Sequence, residues 1–307
     1  MPPGVYRLAY RHPRVQLLRR LVARRSAREE EGSFVIEGIN LLEEALNAGA
    51  QLQAVYLDGG WAARAPEVPL TGVAQADGHP PEPGRERLAV LVSRCYDAGT
   101  RVFELEPGVL ARVAGTVTPQ PVIAVVRAKE PSLAEIGAGR PSLVVVCIDV
   151  RDPGNAGTVM RSAWASGASA VICCGGTVDV QNPKAVRASA GAVLHVPAVY
   201  EASVPAALGV LGEWGLRRLG TVAAGGEDYA TCDLQAPVAL VFGNEAAGLP
   251  VNDLAGQLDG LVTVPMAPGA GSLNVGMAAA VLCFECARQR RRAWPPWLAH
   301  NGPSATD

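Results

Sequence analysis

The sequence predicts an α/β protein of two domains, on three observations. Its 307 residues exceed the span of a typical single domain. Short apolar runs alternate with segments of helical period along the chain. Leu143–Val150 is a continuous apolar run, the pattern of a strand buried on both faces of a parallel sheet. With 49% hydrophobic and 18% charged residues there is ample material for packed cores, and a wholly disordered chain is excluded. No apolar run reaches the roughly 18 residues of a membrane span. The arginine-rich start is unlike a secretory signal. Seven cysteines, an odd number, fit a reducing compartment better than a disulfide framework.

Each element follows from local pattern. Val15, Leu18 and Val22, flanked by Leu17 and Leu21, recur at helical spacing with arginines on the other face, which predicts an amphipathic helix. Ser33–Glu37 predicts a strand, and a helix bearing Ile39, Leu42 and Leu46 follows and stops at Gly49. A strand at Leu52–Leu57 is next, and residues 59–84, rich in Gly, Ala and Pro, predict mostly exposed loop. A helix near 86–98, a strand at 101–105, a short helix near 107–113 and a strand at 121–127 complete an alternating unit. Lys129–Pro141 mixes Pro, Gly and charge without a period, which predicts a linker.

Beyond it, the strand Leu143–Val150 runs through a loop into a helix at Ala156–Ser166, with Asn155 as its expected N-cap. Gly167 stops that helix and Ala170–Cys174 forms the next strand, completing a βαβ unit. Further strands are expected at Val193–Val196, Leu219–Val222, Val238–Phe242 and Leu261–Val264, then a helix at Val275–Arg291 ending in arginines. The expected division is a domain over 1–128, a linker over 129–141, a domain over 142–292 and a tail over 293–307.

Net charge, −2 from 27 basic and 29 acidic residues, argues against a nucleic-acid protein until the charges are placed. All but Lys129 and Lys184 of the basic residues are arginine. Residues 1–28 hold eight of them and no acid, and Arg288, Arg290, Arg291 and Arg292 cluster near the other end. Such patches bind phosphate even on a slightly acidic chain. The plain alternative is a solvated helix face.

Common catalytic motifs are missing. There is no phosphate-binding Gly-x-x-x-x-Gly-Lys-Ser/Thr loop and no His-Glu-x-x-His zinc helix. His12, His79, His195 and His300 are dispersed, and Cys283-x-x-Cys286 reads as buried small hydrophobes within an apolar helix. Three glycine-rich segments remain, each after an expected strand: Asp149 to Ala163, containing Asp152-Pro153-Gly154-Asn155-Ala156-Gly157 and Arg161; Val241 to Leu249, containing Gly243-Asn244-Glu245; and Val264 to Val275, containing Gly271-Ser272-Leu273-Asn274. Arg161, on a mostly apolar helix at the carboxyl end of a sheet, is poorly explained by packing, and ligands bind in crevices there.

In this order and spacing the three segments resemble motifs 1, 2 and 3 of the SpoU (TrmH-type) RNA ribose 2′-O-methyltransferases of the SPOUT superfamily. Asn182-Pro183-Lys184 through Gly191 is similar to a further family stretch. Phe34-Val35-Ile36-Glu37-Gly38 and Thr116–Gln120 are similar to its ribosomal-protein-like substrate-binding domain. The resemblance spans about residues 10–292. It departs at Gly276, where the family usually has serine, and in the Ala-Pro-Gly-Ala-Gly loop before Ser272.

The resemblance implies a C-terminal α/β-knot (deep trefoil) methyltransferase domain behind an N-terminal α/β substrate-binding domain. It implies methyl transfer from S-adenosylmethionine to a ribose 2′-hydroxyl of ribosomal or transfer RNA, without a metal or a membrane, by a cytoplasmic homodimer joined through the knot. Thr221, Val222, Ala223, Phe242, Gly243, Val264, Leu273 and Asn274 would contact the cofactor. Arg161, Asn155, Glu245, Ser272 and Asn274 would form the catalytic set. The family role for Arg161 is a base, but a guanidinium keeps its proton below a pH of about 12. Holding a phosphate and stabilising alkoxide charge is an equally sound role. Arg11, Arg14, Arg19, Arg20, Arg24 and Arg25 would bind RNA. The rival readings are methylation of a base nitrogen by the same fold and a non-catalytic RNA-binding relative. A dinucleotide-dependent dehydrogenase is more distant, since no Gly-x-Gly-x-x-Gly follows a strand.

Overall fold

The computed structural model describes residues 7–59, 83–114, 118–129, 131–201 and 203–293. Most of the expected 59–84 loop, Thr116, Val117 and the tail beyond Ala293 lie outside them. The chain divides into two compact units, Met1–Ala128 with Gln181–Arg187, and Lys129–Val180 with Ala188–Asp307.

The first unit runs β1 (Arg7–Leu8), α1 (Pro13–Ala23), α2 (Arg25–Glu31), β2 (Ser33–Glu37), α3 (Ile39–Asn47), β3 (Leu52–Asp58), α4 (Pro83–Asp97), β4 (Arg101–Leu105), α5 (Val109–Val113) and β5 (Val122–Arg127). Its mixed sheet has the order β1-β4-β3-β5-β2. The strands β1, β4 and β3 are parallel, and β5 runs antiparallel to both β3 and β2. The first helix begins where Pro13 occupies a position that needs no N–H donor and the His12 ring accepts from Arg14 N at 3.2 Å. It breaks at Arg24, whose backbone is extended, so the single helix the sequence suggests becomes two. Val15, Leu18 and Leu21 of α1 are fully buried against Val35, Tyr56, Phe103 and Ile123. The helix is therefore part of a core, and only its outer face is solvated.

The second unit opens with α6 (Leu133–Ala138), where the sequence suggests only linker. The missed signal is local: Ser132 and Glu135 form a capping box, each side chain accepting from the other's backbone N–H. Then follow β6 (Leu143–Ile148), α7 (Pro153–Ala165), β7 (Ala170–Cys174), α8 (Pro183–Ala188), which belongs up to Arg187 to the first unit, β8 (Ala198–Glu201), α9 (Val204–Glu213), β9 (Arg217–Thr221), β10 (Glu227–Asp228), β11 (Val238–Phe242), β12 (Gly260–Thr263) and α10 (Val275–Ala293). The expected strand at Val193–Val196 is instead a short 3₁₀ turn, Ala192–Leu194, entered through left-handed Gly191. The strand forms after Pro197.

The seven strands are all parallel in the order β10-β12-β9-β11-β6-β7-β8. Strand β6 explains its unbroken apolar sequence. Leu143, Val145 and Cys147 face one core with α7 and α10, while Val144, Val146 and Ile148 face another with α9. All seven cysteines are buried, and none is in a disulfide. Burial pushes the Cys283 and Cys286 thiols up to about 12, so this pair packs rather than reacts. Among the described residues no helix is long and apolar enough to cross a membrane, and no group of three or more His, Cys, Asp or Glu is placed to hold a metal ion.

Candidate active site

The neighbouring parallel strands β6 and β11, and β12 two places beyond, lead at their carboxyl ends into the three glycine-rich segments. Asp149 leaves β6 with a positive φ of 56°. Its carbonyl and carboxylate both accept from Asn244 Nδ2, at 2.9 and 3.2 Å, which ties the second segment to the first. Asn244 Oδ1 in turn accepts from the N–H groups of Ala246 and Ala247, closing a tight turn. Gly243 must be glycine: a Cβ there would stand 2.4 Å from the Gly248 carbonyl carbon and 2.5 Å from Leu249 N.

That turn presents Glu245 to the start of α7. Its carboxylate accepts from Arg151 N at 3.1 Å, Asp152 N at 2.9 Å and Asn155 Nδ2 at 3.1 Å. Partial burial works to raise its pKa, but the N–H of Asp152, the amide of Asn155 and the N–H of Arg151 outweigh it and hold the carboxyl below its ordinary value. Asn155 itself is not the helix cap that its residue type suggests. Asp152 is, accepting from Asn155 N at 2.9 Å, because Pro153 takes the first helical position and moves the cap ahead of it. The Asn155 side chain is thereby released for tertiary contacts. Its Oδ1 accepts from Asn274 Nδ2 at 2.8 Å, while Asn274 Oδ1 caps α10 through Gly276 N and Met277 N. Glu245, Asn155 and Asn274 thus form one hydrogen-bonded chain across all three segments.

Beside that chain lies a cleft. Of the expected cofactor residues, Thr221, Val222, Ala223, Phe242, Gly243, Val264 and Leu273 line it, as do Glu245 and Ser272; Asn274 borders it as the cap of α10. The sequence reading missed Leu249, Val262, Met266, Ala278 and Leu282. Ala278 and Leu282 had a signal, since 274, 278 and 282 lie on one face of α10. Arg161 is exposed, nearly two turns beyond Asn155, and no hydrogen bond or ion pair among the described residues holds it. One turn further, Trp164 stacks on His195 with centroids 4.2 Å apart.

The expected RNA-binding arginines separate into two kinds. Arg11, Arg19 and Arg24 are exposed and Arg14 is half-buried, whereas Arg20 bonds Glu31 at 3.0 Å and Arg25 bonds Glu29 at 2.7 Å. At the other end, Arg288 pairs with Glu285, and Arg290 donates to the carbonyls of Ser142 and Ala236, so both stabilise the fold.

Comparison with known proteins gives this geometry a family. The SpoU rRNA methylase family matches residues 142–284, and the MRM3-like substrate-binding domain matches residues 12–124. The chain is 30% identical over 298 residues to the 23S rRNA (uridine(2479)-2′-O)-methyltransferase of Streptomyces viridochromogenes, covering 94% of each chain. It is 31% identical over 259 residues to the 23S rRNA (guanosine(2553)-2′-O)-methyltransferase of Bacillus subtilis, covering 84% of this chain and 90% of that one. In structure it is similar to the AdoMet-bound rRNA methyltransferase of Sinorhizobium meliloti, with a TM-score of 0.75 and 28% identity over 93% of this chain and 98% of that one. A glycine-tight cleft, an Asn–Asn–Glu chain at its mouth and relatives matched over nearly their full length lead to one conclusion: the chain belongs to the SpoU rRNA methylase family.

Proposed function

We propose that the protein transfers a methyl group from S-adenosylmethionine to a ribose 2′-hydroxyl of RNA, ribosomal RNA being the substrate class favoured by its relatives. The observation that carries this reading is the Glu245–Asn155–Asn274 chain at the mouth of the cleft. The cleft fits the cofactor: Leu249, Val262, Val264 and Leu273 offer apolar walls for an adenine, and glycine at 243 lets the lining turn close tightly on Gly248 and Leu249. Thr221, Val222, Ala223, Phe242, Gly243, Val264 and Leu273 would hold it. Bound there, S-adenosylmethionine supplies an already activated methyl group on a sulfonium sulfur, so the protein has chiefly to align the acceptor oxygen and disperse its charge.

The chain's residues divide that work. Glu245 stays ionised at neutral pH and spends its lone pairs on three donors, so it anchors the 151–155 loop. Asn155, gripped at both ends of its amide, fixes the approach of the ribose. Ser272 offers a hydroxyl at the cleft wall. Arg161, held by no carboxylate among the described residues, keeps its full charge for the substrate. It binds the adjacent phosphate and stabilises negative charge on the 2′-oxygen as the O–C bond forms, the S–C bond breaks and the hydroxyl proton leaves for solvent.

The working unit we infer is a cytoplasmic homodimer with a knotted second unit. Met277 and Phe284 are 59% and 45% exposed on one face of α10, and Trp164 is 39% exposed on α7, which packs against it. So much apolar surface on neighbouring helices suits a second copy of the chain. An odd count of seven cysteines, all of them buried, favours a reducing compartment. The decisive experiment locates the methyl group in RNA treated with the protein and S-adenosylmethionine, by nuclease digestion and mass spectrometry. A 2′-O-methylated nucleoside supports the reading; a methylated base, or no transfer with the cofactor bound, overturns it.

A further inference from the structure

The arginines of the first unit differ in what holds them. Arg7, Arg20 and Arg25 face the carboxylates of Glu104, Glu31 and Glu29 at 2.7 to 3.0 Å. Arg28 is buried and donates to the Leu21 carbonyl at 2.7 Å. A second set rests on aromatic rings instead. The guanidinium carbon of Arg112 stands 3.6 Å from the centre of the Tyr10 ring, and that of Arg19 stands 5.9 Å from the same ring. Arg14 lies 4.9 Å over Phe103, which stacks on Tyr56.

The two modes of holding have opposite electrostatic consequences. A carboxylate cancels the charge it binds. An aromatic face fixes a guanidinium through its quadrupole, leaving the net charge intact and the N–H edges open to an acceptor. Two guanidinium groups sharing one ring also repel, and an anion between them relieves that repulsion. The ring is itself well placed: the Tyr10 carbonyl accepts from Gln16 Nε2 at 2.6 Å, and α5, which carries Arg112, packs on α1. Exposed Arg11 follows directly.

We propose that Tyr10, Arg11, Arg14, Arg19 and Arg112 form the RNA-docking patch of the first unit, with ring-held guanidinium groups gripping phosphates. The proposal rests on the reading of RNA as substrate and adds the residues that carry the contact. Arginines without a carboxylate partner among the described residues, set around the half-buried Tyr10 ring, match the phosphates of a polyanion. Arg112 has no place in the N-terminal arginine run; only the fold brings it to Tyr10.

The test uses the full-length protein and a fluorescent ribosomal RNA fragment, with affinity measured across a salt series. The double variant Arg19→Ala, Arg112→Ala should bind about tenfold more weakly, with a salt slope shallower by about 1 to 2. Its S-adenosylmethionine affinity should not change. Tyr10→Ala should reproduce much of the loss with every charge kept, and Tyr10→Phe should bind as wild type. Arg87→Ala removes an arginine already bound to Glu43 and Asn40, and should change neither affinity nor slope. Unaltered affinity and slope in the double variant, in a protein whose wild type methylates RNA, overturn the patch. Weakened binding to polyglutamate with intact RNA binding points to an acidic protein partner and overturns it too. A wild type that neither binds nor methylates RNA removes the underlying reading, and the patch with it.

Discussion

Asn274 donates to Asn155 at 2.8 Å across 119 residues of chain, and the same two side chains reach the cap of α10 and the carboxylate of Glu245. A single amide pair therefore locks the start of α7 to the start of α10 beside the cleft.

Glu245→Gln should loosen this arrangement. An amide offers the N–H groups of Arg151 and Asp152 one acceptor where the carboxylate offers two. Glu245 is more than a third exposed, so solvent screening limits the stability loss to about 1 kcal/mol or less. Turnover should fall much further, about tenfold or more, because geometry at the site is disturbed. The sign of the pH effect follows from the lowered pKa. Its contribution is present above the ordinary value of 4.5 and is lost as pH falls through the lower folded-state value. Urea denaturation of both proteins from pH 7 to pH 3 should show their difference shrinking at the acid end.

Arg161→Ala should abolish methyl transfer, by about 100-fold or more in kcat, while calorimetry finds S-adenosylmethionine binding unchanged. Arg161→Lys should restore a minor part, since it returns the charge without the planar fork. Turnover at wild-type rate in the alanine variant, with RNA saturating, would contradict the role.

Gly243→Ala forces a methyl group into the Gly248–Leu249 backbone at 2.4 to 2.5 Å. The turn must open, at a cost of about 1–3 kcal/mol. Cofactor affinity measured by calorimetry should drop at least tenfold.

Gly276, where the family resemblance leads one to expect serine, has little room for a side chain. A Cβ at 276 would meet Thr158 Cβ and Cγ2, each at 2.9 Å, where α7 and α10 come together. Gly276→Ser should lower the melting temperature. Adding Thr158→Ala, which removes Cγ2, should recover part of that loss, and a double-mutant cycle would show the two changes to be non-additive.

Phe284→Asp with Met277→Asp should convert the proposed dimer to a monomer in sedimentation analysis without altering the circular dichroism. A wild-type protein that sediments as a monomer would refute the proposed assembly.

What the sequence by itself determined is what local pattern encodes. The apolar run at 143–150 specified a strand buried on both faces, and β6 has two cores to fill. Strand-to-glycine transitions marked the three segments, the family resemblance implied Gly243, Val264 and Leu273 within them, and those residues line one cleft because parallel strands end on the same edge. Caps and turns proved less legible: Asn155 and Asp152 are both good caps, and only Pro153 between them decides. Partnership was not legible at all. Glu245 meets Asn155, Arg112 meets Tyr10 and Gly276 meets Thr158 across long stretches of chain. The acid-free run of eight arginines looked uniformly positive, yet the fold cancels Arg20 and Arg25 with the glutamates just beyond it and buries Arg28. Periodicity is a property of neighbours in sequence, whereas the field around a charge depends on neighbours in space. The tertiary structure alone therefore decided which arginines remain available to bind.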